Sequence, residues 1–512
     1  MAKDISSLRS TLEFLKEEGE ILVTDVEIDP HLEMAGIQKK LDNGPALLFN
    51  NVKGYPENRL FTNLMAQESR IAKIFGVDEP KNFKHKVRDA LRNPIPPRIV
   101  KNAPCQEVVN TGNDIDVWKS VPMISHTEKD PGRTLGGGNT LMSGKYFFGG
   151  HHISYNRMSF FKAKDWGTFQ IAPGSHTDMA VTEFIKKEHV HMTINMGVPP
   201  ACTIMAGSGF NYAILPPGCD EIAIAGAIQG YPVDLVKAKT VDAYAIANAE
   251  IVIEGYLDTT QKAWEHPDAE RDNVQGKYPF HPEWSGYMGK AYRTYRFIIT
   301  AITHRKDKPI YYPTIVHGFD THHIDCKVRE ASLLELFERM VPGLVQDVYI
   351  PIESTDWGGC VFSVKKRRQR DEGWQKNLLT AALTISQGMR VAVAVDEDIN
   401  IYLAEDVMWA INTRVDVDKD LLIVNPGGMG QTFQPAERSA AGEGVQWVRS
   451  EAKYAGGMGF DATTPYRYKW AFDRPEFPVK LVDLAKWFDK DEAEKAVNSM
   501  SAYAKWFSET GI

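Results

Sequence analysis

Between about residues 120 and 320 the chain is cut into short apolar or alternating runs by turn residues. That rhythm excludes a helical bundle for its middle. The runs are Tyr146 to Phe148, Ile153 to Phe161, Met192 to Met196, Ile222 to Ile228, Glu250 to Tyr256 and Tyr295 to Ile302. Gly136-Gly137-Gly138 and Pro216-Pro217-Gly218 stand between them. Runs of this length bounded by Gly and Pro read as strands, and many in succession predict a β-rich, barrel-like domain.

The flanks have a different period. Ile5, Leu8, Leu12, Phe14 and Leu15 fall near 3.6-residue spacing and predict a helix over 5–18. A strand at Ile21-Leu22-Val23, a helix over 31–41 and a strand at Ala46-Leu47-Leu48-Phe49 follow, and Pro94-Ile95-Pro96-Pro97 marks a boundary. Beyond about 325, helices are expected over 331–341 and 372–387 and a strand over 347–352. Val391 to Val395 and Leu421 to Val424 are fully apolar, as strands of a parallel sheet are. The tail repeats Ala-Lys-Trp-Phe at 485–488 and 504–507, within two expected helices. Coincidence explains the repeat, as does an aromatic surface packed on a neighbouring subunit. The fold class is therefore α/β (α+β), in three domains over 1–118, 119–322 and 323–512.

Composition closes off several classes. The 512 residues are 43% hydrophobic and 25% charged, ordinary for a globular protein with ample core. A net charge of -8 leaves no nucleic-acid footprint. No apolar run approaches a membrane span, and the N-terminus has no signal-peptide core. Cys105, Cys202, Cys219, Cys326 and Cys360 are odd in number and widely spaced, which points to a reducing, cytoplasmic setting without disulfides.

One stretch carries chemistry on its own. In Pro279-Phe280-His281-Pro282-Glu283-Trp284-Ser285-Gly286-Tyr287 a carboxylate sits in a turn shaped by two prolines and a glycine. Against Phe, Trp and Tyr a carboxyl loses hydration, which raises its pKa toward that of a general acid. Elsewhere, His176 follows Pro173-Gly174-Ser175, and Glu221 opens the run Ile222 to Gly226. With a third ligand this pair suits Mn²⁺ or Mg²⁺ bridging to a phosphate. His151-His152 are adjacent and would face opposite sides of a strand. His189-Val190-His191 share a face, but an exposed strand accounts for them better. His322-His323 read as a polar surface turn. Gly207-Ser208-Gly209 and Gly427-Gly428-Met429-Gly430 are explained as turns, since no GxGxxG or GxxxxGK[ST] is present. No Gly-x-Ser-x-Gly elbow stands out.

Taken in order, several segments resemble the UbiD family of prenylated-FMN-dependent (de)carboxylases nearly end to end. They are Pro45 to Asn51, the strand ending in Arg157, Glu221-x4-Gly226-Ala227, Glu250 to Gly255, Glu283-x2-Gly286-Tyr287, Ile302 to Arg305, Val395 to Ile399 and Asp406 to Ala410. The resemblance implies an N-terminal α/β domain, a middle split β-barrel that binds the flavin, and a C-terminal α/β domain used for oligomerisation. It places prenylated FMN along His152, Ile153, Ser154, Tyr155, Asn156 and Arg157, with Ser175, His176 and Glu221. The phosphate would be held through Mn²⁺ (or Mg²⁺), with K⁺ nearby. By position, Arg157 is the active-site arginine, Glu283 the acid, and His152, His176 and Glu221 the metal ligands. His152 replaces an asparagine, which leaves metal identity open. Because strict alternation would put His152 and Arg157 on opposite faces, a bulge or strand end is required between them. Tyr278 stands where many members carry a second glutamate, so the family's Glu-Arg-Glu network is expected to be incomplete.

The implied reaction is reversible, non-oxidative decarboxylation of an aromatic or α,β-unsaturated acid through a covalent prenylated-FMN adduct, with Glu283 as proton donor. The hard chemistry belongs to the cofactor. Expected partners are a small aromatic carboxylic acid, CO₂, a flavin prenyltransferase and further copies of the chain as a dimer or hexamer. Two alternatives stay open: a reductase using ordinary FMN, and a silent subunit of a multi-subunit carboxylase.

Overall fold

The computed structural model describes residues 4–209, 213–356, 358–385, 388–424 and 457–511. Gly427-Gly428-Met429-Gly430 lies outside the described residues. Five sheets organise the rest. The first pairs Ile21–Thr24, Ala46–Phe49, Arg59–Thr62 and Ile310–Tyr311, in that order. The amphipathic helix Leu8–Glu17 covers it, started by a Ser7–Ser10 capping box and burying Leu8, Leu12 and Leu15. Ile310–Tyr311 runs parallel to Arg59–Thr62, so the chain returns to its first sheet after crossing the middle.

The central sheet has nine strands. Its spine is the long antiparallel pair Ile251–Trp264 and Arg293–His304, with register shifts after Glu254 and Asp258. On one side Ile251–Trp264 pairs Val190–Met196, then Asn139–Ser143, then His151–Tyr155. On the other, Arg293–His304 pairs Trp166–Phe169, then Met158–Ser159, then Thr134–Leu135. Among the described residues the two outer strands do not pair, so the path is open. Val108–Thr111 also pairs Arg293–His304, and Arg98–Val100 joins Asp234–Lys237 beside the main sheet. The β-rich middle is thus present, with strands contributed from before residue 118.

In the third layer, Gly359–Val364, Val391–Asp396 and Gly457–Ala462 are parallel, as the apolar run at 391–395 predicts. Leu421–Val424 differs from expectation. It is the antiparallel edge strand, and Ile423 is 64% exposed.

Two middle runs are not strands. Tyr146 to Phe148 falls in a 3₁₀ turn bounded by Gly144 at φ 58° and Phe148 at φ 47°. Ile222 to Ile228 belongs to the helix Glu221–Gln229, capped by the Asp220 side chain and closed by Gly230 at φ 92°. Buried on all sides, such a helix has no amphipathic stripe and mimics a buried strand. For the same reason the helix expected over 331–341 extends to Phe319–Met340, with polar residues inside the core. His322 and His323 lie in it and are buried, not at the surface. Their ring nitrogens are 3.0 Å from Ile350 O and 2.6 Å from Met65 O.

The tail keeps two helices, Lys490–Asn498 and Ala502–Thr510. The first Ala-Lys-Trp-Phe precedes them, in a 3₁₀ turn over Leu484–Lys486. Among the described residues no helix is long and apolar enough to cross a membrane.

Candidate active site

Three buried side chains with ligand atoms to offer meet beside the strand His151–Tyr155. His151 turns away and faces Asp220 at 3.0 Å, as the alternation of strand faces requires. His152 points inward. His176 and Glu221 are each the first residue of a helix, after the capping side chains of Ser175 and Asp220. Glu221 Oε2 accepts from the Ile153 amide at 2.8 Å and lies 2.8 Å from His152 Nδ1. Its Oε1 is 3.2 Å from His176 Nδ1. One ligating atom from each residue falls within 4.8 Å of the others. The Phe147 ring stacks on His152 at 4.7 Å. Burial pushes the Glu221 carboxyl up, but His152 and then His176 outweigh it and hold it at about 2. A carboxylate with two imidazoles in a water-poor pocket is a donor set for a first-row divalent ion.

The strand ends at Tyr155, and this break settles how His152 and Arg157 serve different neighbourhoods. Tyr155, Asn156 and Arg157 line a cavity of about 220 Å³, together with His281, Glu283 and Tyr292. Asn156 is fixed by a 3.0 Å donation from Nδ2 to Gln170 O. Ser154 Oγ donates to Asn156 Oδ1 at 2.9 Å, and Tyr155 OH reaches Thr203 O at 3.3 Å. Ile153 buries its side chain in the core and presents its amide to Glu221.

Arg157 is the hub. Nη1 donates to Glu283 Oε1 at 2.5 Å. Nε and Nη2 donate to the two oxygens of Glu265 at 3.1 and 2.9 Å, a bidentate pair. Nη2 also reaches Lys290 O at 2.8 Å, and the guanidinium lies 4.5 Å from the Phe280 ring centre. Burial works against the Arg157 charge, but Glu265 and Glu283 more than compensate and raise its pKa. Glu265 is fully buried and also accepts from the Tyr292 amide at 2.8 Å.

The Glu-Arg-Glu network is therefore complete, contrary to expectation, and its second glutamate is Glu265. Tyr278 points elsewhere: it stacks on His266 at 5.6 Å, and its hydroxyl bonds Asp272. Spacing gives no sign of Glu265. It follows Trp264 at the end of a long strand and comes to Arg157 only because that strand folds against Arg293–His304.

Glu283 itself sits in the expected turn. The short strand Pro279–Pro282 pairs Met288–Lys290, and Glu283 N donates to Tyr287 O at 2.9 Å. Gly286 closes the turn at φ 78°. Phe280 and Trp284 are buried, while Tyr287 is exposed. Hence the carboxylate faces a guanidinium as well as aromatic rings. The remaining histidine pair, His189 and His191, packs against Tyr256 and joins no cluster of three ligand atoms among the described residues, although His189 Nδ1 lies 3.7 Å from Asp258.

Comparisons with known proteins place the whole chain. Residues 12–89, 98–319 and 322–462 match the N-terminal, Rift-related and C-terminal domain models of 3-octaprenyl-4-hydroxybenzoate carboxy-lyase. Gallate decarboxylase of Lactiplantibacillus plantarum is 30% identical over 513 residues, covering 95% of this chain and all of that protein. The apo structure of a 3,4-dihydroxybenzoic acid decarboxylase from Enterobacter cloacae superposes with a TM-score of 0.81 at 28% identity, over 95% and 99% of the two chains. The UbiD-class enzyme HmfF from Pelotomaculum thermopropionicum, in complex with FMN, gives 0.79 at 29% identity, over 94% and 100%. An evolved dimeric form of HmfF, in complex with prFMN, gives 0.79 at 27% identity over the same shares. With three domain models in register and a relative matched along its whole length, the chain belongs to the UbiD family of carboxy-lyases.

Proposed function

We propose that this protein catalyses the reversible, non-oxidative decarboxylation of an aromatic carboxylic acid with prenylated FMN as cofactor. The observation that carries the reading is the Glu283–Arg157–Glu265 network on a cavity wall, one strand end away from the His152–His176–Glu221 centre. The relatives named for gallate and 3,4-dihydroxybenzoic acid support an aromatic acid over a cinnamic one.

His152, His176 and Glu221 would hold a divalent ion, Mn²⁺ or Mg²⁺, whose charge would support the flavin phosphate, and K⁺ would be a further ion of the site. The open central sheet, over 119–322 together with the strands at 98–100 and 108–111, is the split barrel that receives the flavin. Residues 1–118 and 323–512 form the α/β domains on either side. When bound, the prenylated flavin supplies the electrophile that takes up the electron pair left as CO₂ departs. Arg157 binds the substrate carboxylate by charge-assisted hydrogen bonds, with Glu265 fixing its plane. As the C–C bond breaks and CO₂ leaves, Glu283 gives its proton to the ring carbon and forms the new C–H bond. Glu283 is left beside Arg157, the contact found in this structure. Phe280 and Trp284 keep water from that proton. The cofactor comes from a flavin prenyltransferase, and the setting is cytoplasmic.

The test is to co-express the chain with a flavin prenyltransferase, purify it without oxygen and weigh the released small molecule. A prenylated FMN mass with CO₂ release from an aromatic acid is expected. Plain FMN with nicotinamide oxidation would replace this reading by the reductase one, and no flavin would indicate a silent subunit. In the loaded enzyme Glu283→Gln should keep its flavin and lose turnover by at least about a hundredfold. Retained turnover would remove Glu283 from the role.

A further inference from the structure

His281 lies two residues before Glu283 and lines the same cavity, yet the reaction as derived gives it no task. Its side chain is almost fully enclosed, with 8% of the residue exposed. Nδ1 donates to Pro282 O at 2.6 Å, which fixes the tautomer and leaves the lone pair on Nε2. Nε2 is buried and has no hydrogen-bond partner among the described residues. Burial, with Arg157 and His126 close by, pushes the imidazole well below its ordinary range, so the ring stays neutral and Nε2 remains an acceptor. His126 cannot satisfy it. That ring lies 5.8 Å away, with Nδ1 at 2.9 Å from Asp130 and Nε2 at 3.2 Å from Thr314 O.

An unpartnered buried acceptor on a ring that lines the cavity with Arg157 costs free energy until a donor arrives. Arg157 takes the acid group of the substrate, so the donor belongs on another atom of the same ring. We propose that His281 Nε2 accepts a hydrogen bond from a ring hydroxyl of the substrate, making His281 the residue that selects hydroxylated aromatic acids over their unsubstituted counterparts. The proposal rests on the decarboxylase reading for the placement of the acid group. A site built to bond a hydroxyl rejects the analogue lacking it, because the acceptor is then left unpaired.

The test compares two acids that differ only in a ring hydroxyl, such as a monohydroxybenzoic acid and benzoic acid, on the flavin-loaded enzyme. Dissociation constants come from calorimetry and CO₂ release from the same samples. The hydroxylated acid with the best-placed hydroxyl should bind roughly ten to a hundred times more tightly. His281→Leu should bring the two constants together by weakening the hydroxylated acid alone. His281→Gln, which keeps an acceptor, should restore part of the difference and guards against a misfolded leucine variant. Equal binding of the pair by the parent enzyme, or an undiminished preference in a folded His281→Leu, overturns the proposal. Loss of flavin from both variants also overturns it, by assigning the imidazole to the cofactor. Selective binding without CO₂ release from any acid would sink the decarboxylase reading while leaving the hydroxyl contact standing.

Discussion

Glu265 is the residue whose importance is easiest to measure. It holds Arg157 from the side opposite Glu283, with both oxygens engaged and no exposure to solvent. Taking away one member of a buried ion pair leaves the other charge uncompensated, at a cost of about 3 kcal/mol or more. Glu265→Leu should therefore lower the thermal midpoint as well as activity. Glu265→Gln keeps the shape and one acceptor. Its expected signature is a drop in kcat of about tenfold or more with KM nearly unchanged, flavin content equal to the parent, and partial rescue by Glu265→Asp. Positioning of Arg157 predicts that split, while a purely structural role would lower stability and leave the kinetics of the folded fraction intact.

At the scale of elements, the long helix Phe319–Met340 ties the first sheet to the third. Asp320, in its first turn, accepts from Met65 N at 2.6 Å and from Tyr312 OH at 2.9 and 2.7 Å. Burial outweighs these donors and pushes its carboxyl from 3.8 up to about 6. The folded state thus favours the protonated form. Its contribution is complete below about pH 4 and fades as pH rises toward 6, by roughly 3 kcal/mol over the interval. Asp320→Asn should flatten unfolding free energy against pH between 4 and 6, measured by urea titration. Glu68 has the opposite sign. Burial raises it, but Lys327 and then His323 hold it at about 2, so its contribution is lost as pH falls from about 4.5 toward 2. The two windows barely overlap, so one set of titrations separates them. A slope between pH 4 and 6 unchanged by Asp320→Asn would remove Asp320 as its source.

At the scale of the whole molecule, the tail is the surface proposed to carry assembly. Arg474 anchors its start to the helix Ala404–Arg414, pairing with Asp406 at 3.0 Å and lying 4.2 Å from the Trp409 ring. Its end folds back, with Phe477 N donating to Gly511 O at 2.8 Å. Between these ties, Leu481, Trp487 and Phe488 are 85%, 75% and 61% exposed. Large apolar side chains grouped this way mark an interaction surface, and the occupant proposed here is a second copy of the chain. Light scattering should give a mass that is a multiple of 57.5 kDa. Trp487→Ser with Leu481→Ser should shift it toward the monomer while leaving the far-ultraviolet spectrum unchanged. A monomeric parent protein would end the oligomer proposal.

Local pattern determined a good deal of this. The amphipathic helix at Leu8–Glu17, the parallel strand at Val391–Asp396 and the β-rich middle follow from apolar spacing and from where Gly and Pro stand. The turn around Glu283 follows in the same way, whereas the expected roles of Arg157, His152, His176 and Glu221 rest on the family resemblance of the ordered segments. Tertiary structure decided what depends on neighbours distant in sequence. The helix Glu221–Gln229 and the N-terminal half of Phe319–Met340 are enclosed on every side, so their apolar spacing carries no direction. Glu265 is 108 residues from Arg157, and only the register of two long strands brings them together. His281, with its unpartnered Nε2, lines a cavity whose other walls come from several separate segments. Sequence sets a residue's chemistry and local geometry, whereas pairing across a sheet sets its partners.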